Sequence, residues 1–387
     1  MEYRNWSKND IRTSLLGYGC MRFPTKADGT IDEERAEALL NTAKAAGVNY
    51  FDTAYPYHSA GIDGNGNSEV FIGKFLKENS YRDDVLISTK SPCWLMEEKG
   101  DFEYYLDKQL EKLQTDSIDI YLLHALTKND WDKVRKLRVL DFLDDSLSSG
   151  KIKHVGFSSH TEIDTFVDIL DAYPKWEVVL TQMNYLDEYY QTGVMGLDEL
   201  KRLNIGSMIM EPLRGGRLVQ NIPPEVQKLW NGAEVKRTPV EWALEYLWNR
   251  DDVDCVLSGM NSLEQVRQNI QIASDVKEIS EHDHDLIREV ARTYKTLTGN
   301  DCTCCGYCMP CPEDVDIINC FKEYNIGKML NNPKGSALQY FTLIDDDCRA
   351  DSCINCGECE FVCPQMLDIP QELEKVDEYF GREFNHF

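Results

Sequence analysis

The sequence predicts a (β/α)8 barrel over roughly its first three quarters, followed by a small, mainly helical domain. Short apolar strands alternate with amphipathic helices eight times between about residue 15 and residue 275, and ~260 residues is a typical length for eight such pairs. The strands are apolar on both faces, as buried parallel strands are. Two bursts of cysteines after residue 300 mark the second domain.

The eight predicted strands each hold five to seven residues of mostly apolar character, and a stretch with helical periodicity follows each of them. The strands read SLLGYG from Ser14, VNYFD from Val48, VLIST from Val85, IDIYLLH from Ile118, HVGFSS from His154, VVLTQM from Val178, GSMIM from Gly206 and DCVLSG from Asp254. The helices read EERAEALLNTAKAAG, NSEVFIGKFLKEN, FEYYLDKQLEKLQ, VRKLRVLDFLDDSLSSG, EIDTFVDILDAY, GLDELKRLN, PVEWALEYLWNR and SLEQVRQNIQIASD. Several helices end at Gly or Asn, a common C-terminal signal.

A further helix is predicted from Glu281 to Thr298, and the Gly299-Asn300 pair after it indicates a domain boundary. We therefore expect a barrel domain at 1–298 and a second domain at 299–387. Two helices of the second domain, one of them in VDIINCFKEYNIGKML, are expected to surround its cysteines.

Two runs of four cysteines, each closed by a proline, define the second domain. They are Cys302, Cys305, Cys308 and Cys311 before Pro312, and Cys353, Cys356, Cys359 and Cys363 before Pro364. The second run matches the C-x2-C-x2-C-x3-C-P pattern of bacterial ferredoxins, and the first is one residue shorter at its last step. Because the fourth cysteine of such a run binds the cluster of the other run, the spacing predicts a ferredoxin-like iron–sulfur domain with two crossed [4Fe-4S] clusters.

Disulfides and zinc are the alternatives for these eight cysteines. Disulfides need an oxidising compartment, whereas structural zinc takes two Cys-x2-Cys pairs per ion. The third cysteine of each run and the Cys-Pro ending favour iron–sulfur clusters over both. Cys304 breaks the spacing and is expected to be a spectator, and Cys320 and Cys348 are expected to be packing residues.

The chain is acidic, with 41 basic and 67 acidic residues and a formal charge of −26. This charge argues against nucleic acid and anionic membranes as partners. The amino terminus lacks the apolar segment of a signal peptide, and no apolar run approaches the ~18 residues of a spanning helix. Together with fourteen cysteines, these features lead us to expect a cytoplasmic protein.

Polar residues stand at the ends of three successive predicted strands, where barrel enzymes place their reacting groups. Asp52 ends the second strand and Tyr57 follows it in FDTAYPY, Lys90 ends the third strand, and His124 ends the fourth. Lys90 is expected to lower the pKa of the Tyr57 phenol toward neutrality, and Asp52 to anchor the ammonium. Tyr57 would then donate a proton to a carbonyl oxygen that His124 polarises.

With these motifs the chain resembles the aldo/keto reductase family, which shares FDTAYPY, NSEVFIGKFL, STK, LLH, GFSS, TQMNY and EPLRGG in this order. Its cysteine-rich tail resembles the subgroup of these reductases with a C-terminal ferredoxin-type domain. The resemblance implies that Asp52, Tyr57, Lys90 and His124 form the catalytic tetrad. It also implies nucleotide contacts, by Ser158 and Gln182 near a nicotinamide carboxamide and by Gln265 and Asn269 near an adenosine.

Other predicted nucleotide positions depart from the family pattern. Met210 stands where most members have an aromatic residue against the nicotinamide, and Gly259 and Gln265 align with basic residues that hold a 2′-phosphate. Ser258 precedes Gly259 at the end of the last strand, and Arg217 is a candidate phosphate ligand. NAD(P)H is the expected cofactor, with flavin as an alternative.

Three functions remain open from the sequence. In the first, carbonyl–alcohol interconversion in the barrel is combined with clusters that exchange electrons with a soluble ferredoxin or flavodoxin. In the second, the protein is an NAD(P)H-dependent reductase whose clusters are purely structural. In the third, it is an electron-transfer or binding module whose barrel holds flavin or no cofactor.

Overall fold

The structure is a computed structural model of the 387-residue chain that describes residues 1–6, 11–59, 64–302, 304–363 and 365–384. Eight parallel strands close into a barrel in the order β10-β3-β4-β5-β6-β7-β8-β9. They are β3 Leu16–Gly19, β4 Tyr50–Asp52, β5 Leu86–Ser91, β6 Ile118–Leu126, β7 Ile152–Ser159, β8 Val178–Gln182, β9 Gly206–Met210 and β10 Cys255–Ser258. These are the eight predicted strands, so the barrel prediction is confirmed.

A short antiparallel hairpin precedes the barrel and was not predicted. It consists of β1 Tyr3–Asn5 and β2 Arg12–Ser14. Trp6, which follows β1, belongs to the apolar core inside the barrel together with Tyr50, Leu122 and Met208. The hairpin therefore contributes a large aromatic side chain to the barrel core.

Helices follow the strands, as expected for a barrel of this type. In the barrel unit they are α1 Glu33–Ala45, α2 Ser68–Glu78, α3 Gly100–Leu113, α4 Lys128–Lys136, α5 Val139–Ser148, α6 Ile163–Ala172, α7 Gly193–Leu203, α9 Pro239–Trp248 and α10 Leu263–Ser274. The prediction of a single helix after β6 is wrong, because the chain forms two helices there, α4 and α5. Arg138 between them has left-handed backbone angles (φ 64°, ψ 42°), which end a helix.

The chain packs as two compact units. The first comprises 1–214 and 240–279, and the second comprises 215–239 and 280–387. The second unit contains the helices α8 Pro224–Gly232, α11 Glu281–Thr296, α12 Ile317–Met329, α13 Pro333–Leu343 and α14 Ile369–Phe384. This division groups α11 with the second unit, whereas the boundary at residue 299 stays a sequence-based prediction.

The C-terminal region is mostly helical, as predicted, but the described part has three α-helices after residue 299 where two were expected. The additional signal was present in α14, where Ile369, Leu373, Val376 and Phe380 recur at helical spacing and are all buried. These residues join Phe321 and others in a small apolar core. Among the described residues, no helix is both long and apolar enough to span a membrane.

Gly156 in β7 tests the tightness of barrel packing. A Cβ at this position would lie 2.1 Å from the carbonyl oxygen of Val178 and 2.8 Å from Leu122 Cδ2. Gly156→Ala should therefore destabilise the barrel by about 1–3 kcal/mol and lower the midpoint of its thermal unfolding. Gly100→Ala is the matched control, because its Cβ would meet only Glu98 Oε1, at 3.8 Å. An unfolding midpoint equal to that of the control would contradict this packing.

Candidate functional site

Three strand ends at the carboxyl edge of the barrel bring the predicted tetrad together. Asp52 is the last residue of β4, Lys90 lies next to the end of β5, and His124 lies near the end of β6. Tyr57 follows β4 in a turn, in which its backbone N–H donates to the carbonyl oxygen of Ala54 at 3.1 Å. The register of the parallel strands pairs Asp52 with Ser88 and Lys90 with Leu122, so neighbouring strand ends lie level.

The ammonium of Lys90 is the centre of this arrangement. Lys90 is fully buried, and its Nζ donates to Asp52 Oδ2 at 2.6 Å, to the Thr53 carbonyl oxygen at 2.7 Å and to Tyr57 Oη at 3.2 Å. An ammonium has three N–H donors, and these contacts use all three. The Tyr57 oxygen accepts from Lys90, which leaves the hydroxyl proton of Tyr57 for another acceptor.

Charge and burial act against each other in this group. Burial alone would lower the pKa of Lys90, but Asp52 and then Tyr57 raise it above its ordinary value. Burial raises the pKa of Asp52, and Lys90 opposes that rise. We take the pair as ionised, because the ammonium has an oxygen acceptor for each of its three protons.

The expected direction of the Tyr57 pKa shift is wrong. Burial raises the pKa of Tyr57 above its ordinary value near 10. Lys90 works to lower it, and the carboxylate of Asp52 offsets part of that effect by raising it. The phenol is therefore protonated at neutral pH, which is the state that a proton donor requires.

His124 lies beside Tyr57, with ring centroids 6.0 Å apart and ring planes at 77°. On its other side the ring of Trp94 lies 5.1 Å away. Burial, followed by the charges of Lys90 and His160, lowers the pKa of His124 well below its ordinary value. The imidazole is consequently neutral, so that one ring nitrogen can donate and the other can accept a hydrogen bond. Its buried Nδ1 has no hydrogen-bond partner among the described residues.

Ser158, predicted to lie near a nicotinamide, contacts the chain next to His124. Its Oγ accepts a hydrogen bond of 2.6 Å from the backbone N–H of Ala125. Ala125 has a positive φ of 50°, and the pairing register between β6 and β7 shifts between Leu123 and Leu126. Ser158 thus helps to hold the irregular end of the strand that carries His124.

Of the two predicted contacts at the ends of β8 and β9, Gln182 lies in a polar group that sequence reasoning missed. Gln182 Nε2 donates to Asp187 Oδ2 at 3.3 Å, and the same carboxylate pairs with Arg214 Nε at 3.0 Å. Asn184 Nδ2 also donates to Asp187, at 3.1 Å. Met210, at the end of β9, packs partly buried against the core inside the barrel.

The predicted adenosine contacts meet where β10 leads into α10. Asn269 Nδ2 donates to Ser258 Oγ at 2.9 Å, and Gln265 Oε1 accepts from the backbone N–H of Asn261 at 2.9 Å. Gly259 follows Ser258 at the end of β10. Arg217 belongs to the second unit, where its Nη2 donates to the carbonyl oxygen of Gly335 at 3.2 Å.

A buried polar network beneath Lys90 was also missed. Gln109 Nε2 donates to the carbonyl oxygen of Lys90 at 3.0 Å and to Glu69 Oε1 at 2.7 Å. Glu69, itself fully buried, accepts from Thr89 Oγ1 at 2.6 Å and pairs with Lys112 at 2.7 Å. The sequence signal was a glutamate and a glutamine on the buried faces of α2 and α3, where apolar residues are the norm.

The second unit contains two cavities lined by cysteines from both runs. Tyr307 and Glu313 are among the residues of one, and Ile318 and Phe321 among those of the other. The cysteines of the first cavity are Cys308, Cys311, Cys353, Cys356 and Cys359, and those of the second are Cys302, Cys304, Cys305, Cys308 and Cys363. Apart from Cys304 and the shared Cys308, each cavity thus combines cysteines of one run with the fourth cysteine of the other.

All fourteen cysteines are free thiols in the structure. In the described part of the chain, no group of three or more His, Cys, Asp or Glu side chains is gathered closely enough to hold a single metal ion. A cubane binds its four thiolates at separate irons, whereas one zinc ion needs all its sulfurs at about 2.3 Å. Pro312 lines the first cavity, whereas Pro364 lies outside the described residues.

The Lys90–Asp52 pair should contribute strongly to stability. Lys90→Met should destabilise the barrel by about 3–5 kcal/mol, because it leaves the Asp52 carboxylate buried without its partner. The double variant Lys90→Met/Asp52→Asn should lose less unfolding free energy than the two single variants lose together. Chemical unfolding of the three variants measures this coupling.

Lys74→Met is the matched control, because Lys74 forms an ion pair of the same 2.6 Å length with Glu33 on the surface. Its unfolding free energy should change by less than about 1 kcal/mol. Strictly additive effects of the Lys90 and Asp52 substitutions would rule out a coupled, ionised pair.

Comparisons with known proteins agree with the barrel. The model of the aldo/keto reductase family matches residues 15–292, a stretch that ends before the first cysteine run. L-galactose dehydrogenase of Arabidopsis thaliana is 27% identical over 314 residues, which cover 75% of this chain and 93% of that protein. NADH-specific methylglyoxal reductase of Escherichia coli is 24% identical over 331 residues, 73% of this chain and 96% of that protein.

Among solved structures, the holo form of an aldo-keto reductase from Bacillus halodurans has a TM-score of 0.60 and 25% identity, covering 75% of this chain and 96% of that one. The iron–sulfur domain stays a prediction, since the family match ends at residue 292. The family model matches well over half of the chain. The chain therefore belongs to the aldo/keto reductase family, and it is an oxidoreductase of the type that acts on carbonyl and alcohol groups.

Proposed function

We propose that this protein reduces a small carbonyl compound with NAD(P)H, using Tyr57 as the proton donor, and that its C-terminal unit carries two [4Fe-4S] clusters. The observation that carries the catalytic part is the three-way hydrogen bonding of Lys90 with Asp52, Thr53 and Tyr57. It leaves a protonated phenol whose hydroxyl is free to donate at the carboxyl end of the barrel.

The chain's own residues would handle the proton and orient the carbonyl group. Tyr57 donates its hydroxyl proton to the carbonyl oxygen, and the nearby positive charge of Lys90 stabilises the phenolate that results. Neutral His124 donates one N–H to the same oxygen and so stabilises the developing negative charge. Bound nicotinamide would supply the hydride to the carbonyl carbon. In the reverse direction Tyr57 accepts the alcohol proton.

Residues around the tetrad would hold the dinucleotide. Ser158 and Gln182 carry polar groups suited to a carboxamide, and Met210 offers an apolar surface at the end of β9. At the far end, Gln265 and Asn269 would contact the adenosine, beside Ser258 and Gly259. Arg217 stays a sequence-based candidate for a phosphate ligand. These roles rest on the family resemblance and on the polar contacts between β10 and α10.

The substrate proposed here is small and polar. L-galactose dehydrogenase and methylglyoxal reductase, to which this chain is similar, are named for a sugar and a short ketoaldehyde. Trp94 beside His124 offers an aromatic surface near Tyr57, on which the apolar face of such a compound can pack.

The cysteine cavities support the cluster proposal. Cys302, Cys305 and Cys308 would hold one cluster together with Cys363, and Cys353, Cys356 and Cys359 would hold the other together with Cys311. This crossed set matches the lining of the two cavities, and it is the arrangement of two-cluster ferredoxins. Bound clusters would supply one-electron transfer, for exchange with a soluble ferredoxin or flavodoxin. Their cysteine ligands must stay reduced, which suits a cytoplasmic location.

A structural contribution of the clusters is supported by a separate observation. Six of the eight proposed ligands, all except Cys305 and Cys356, pack against the small apolar core of the second unit. These six are Cys302, Cys308, Cys311, Cys353, Cys359 and Cys363. Because metal binding is coupled to folding in small domains, loss of the clusters should loosen this core.

Tyr57→Phe should reduce carbonyl turnover by about 10²–10⁴-fold, the usual contribution of a positioned acid. The substitution removes one hydroxyl and leaves the ring in place. Steady-state reduction of methylglyoxal with NADPH and NADH measures the loss, and the visible absorbance of the protein should not change. Tyr55→Phe, two residues earlier, is the control and should keep its activity. Wild-type turnover in Tyr57→Phe would reject Tyr57 as the proton donor.

Cys311→Ala and Cys363→Ala should each remove one cluster, so each variant should retain about half of the iron and sulfide of the parent protein. Anaerobic purification with iron and sulfide analysis measures this. Cys304→Ala is the control and should keep the full iron content, because Cys304 lies outside the ligand spacing. Unchanged iron in both test variants, or bound zinc in the parent protein, would refute the ligand assignment.

A further inference from the structure

The barrel has an arginine whose role is not explained by the tetrad or by the predicted nucleotide contacts. Arg22 follows β3, in the sequence GCMRF. β3 lies between β10 and β4 in the barrel. The segment with Arg22 therefore follows a strand that lies between β4, which carries Asp52, and β10, whose end is proposed to hold the nucleotide.

The backbone on both sides of Arg22 is held to the active-site segment. The Cys20 N–H donates to the carbonyl oxygen of Asp52 at 2.8 Å, and the Phe23 N–H donates to His58 Nε2 at 3.2 Å. The Phe23 ring also stacks on His58, with centroids 5.7 Å apart. These contacts fix the position of Arg22 relative to the turn that carries Tyr57.

The side chain of Arg22 lies across Gly259. A Cβ added to Gly259 would lie 3.2 Å from Arg22 Cδ and 3.4 Å from both Cβ and Cγ of the arginine. A larger residue at 259 would therefore crowd the aliphatic part of Arg22. Gly259, which the family resemblance aligns with a basic residue, thus makes room for the basic side chain of Arg22, which follows another strand.

Arg22 is exposed, and no ion pair joins it to any residue that the structure describes. Other cations at this edge of the barrel are already paired, Lys90 with Asp52 and Arg214 with Asp187. In a chain with a formal charge of −26, a phosphate needs a local positive charge to offset the general repulsion.

We propose that Arg22 binds a phosphate of the dinucleotide through charge-assisted hydrogen bonds from its guanidinium. This inference rests on the proposed use of NAD(P)H. The planar, always charged guanidinium suits phosphate oxygens, and the aliphatic part of Arg22 lies against Gly259, which comes shortly before Ser262, where α10 begins. Arg22 then takes over the phosphate-binding role of the basic residues that are missing after β10.

Fluorescence titration of the full-length protein with NADH and NADPH tests the proposal. Arg22→Gln should raise the dissociation constant at least about tenfold, the effect of losing one charged hydrogen bond, and Arg22→Lys should recover part of the loss. An equal loss of affinity for NADH and NADPH assigns Arg22 to the diphosphate. A loss for NADPH alone assigns it to the 2′-phosphate.

Arg267→Gln is the matched control. Arg267 is an exposed cation on α10, the helix that also carries Gln265 and Asn269, but it lies about 200° around the helix from both of these residues. It should bind both dinucleotides as the parent protein does. Dissociation constants for Arg22→Gln within twofold of the parent, or equal losses in both variants, would overturn the proposal. A parent protein that binds neither dinucleotide would overturn the proposed cofactor together with the role of Arg22.

Discussion

The ammonium of Lys90 must find three acceptors inside the barrel, and this requirement determines the geometry of the candidate active site. A buried charge is tolerated only when it is paired and hydrogen-bonded. Asp52, the Thr53 carbonyl and Tyr57 meet this need within 3.2 Å, and Gln109 holds the backbone of Lys90 from below. The phenol thereby receives a hydrogen bond at its oxygen and keeps its own proton. Burial then makes that proton hard to lose.

The strand pattern made the barrel and the convergence of the tetrad predictable, because parallel strands end at the same edge and side chains at those ends must meet. The sign of the Tyr57 pKa shift was not predictable in this way. It depends on how far burial and the Asp52 carboxylate outweigh the charge of Lys90, and sequence letters contain neither burial nor distance. The contact of Arg22 with Gly259 was hidden for the same reason, since the two residues are far apart in the sequence.

In the cysteine-rich unit, the sequence predicted the grouping of the cysteines better than it predicted the helices. Spacing alone predicted that the fourth cysteine of each run would join the other run, and the two cavities have linings that match this pattern. The number of helices around them was underestimated, because the amphipathic pattern of α14 was not used. A cluster pair that both exchanges electrons and completes a small core would explain why ligands and packing residues share one apolar core.

The pH dependence of kcat/KM for carbonyl reduction, measured at saturating dinucleotide, tests the central claim most directly. Reduction needs the protonated phenol, and the structure raises the pKa of Tyr57, so the rate should stay constant through neutral pH. It should fall only as the pH rises beyond the ordinary phenol value of about 10, and this fall should be absent from the residual activity of Tyr57→Phe. A Tyr57-dependent fall with a midpoint near neutral pH would contradict the account.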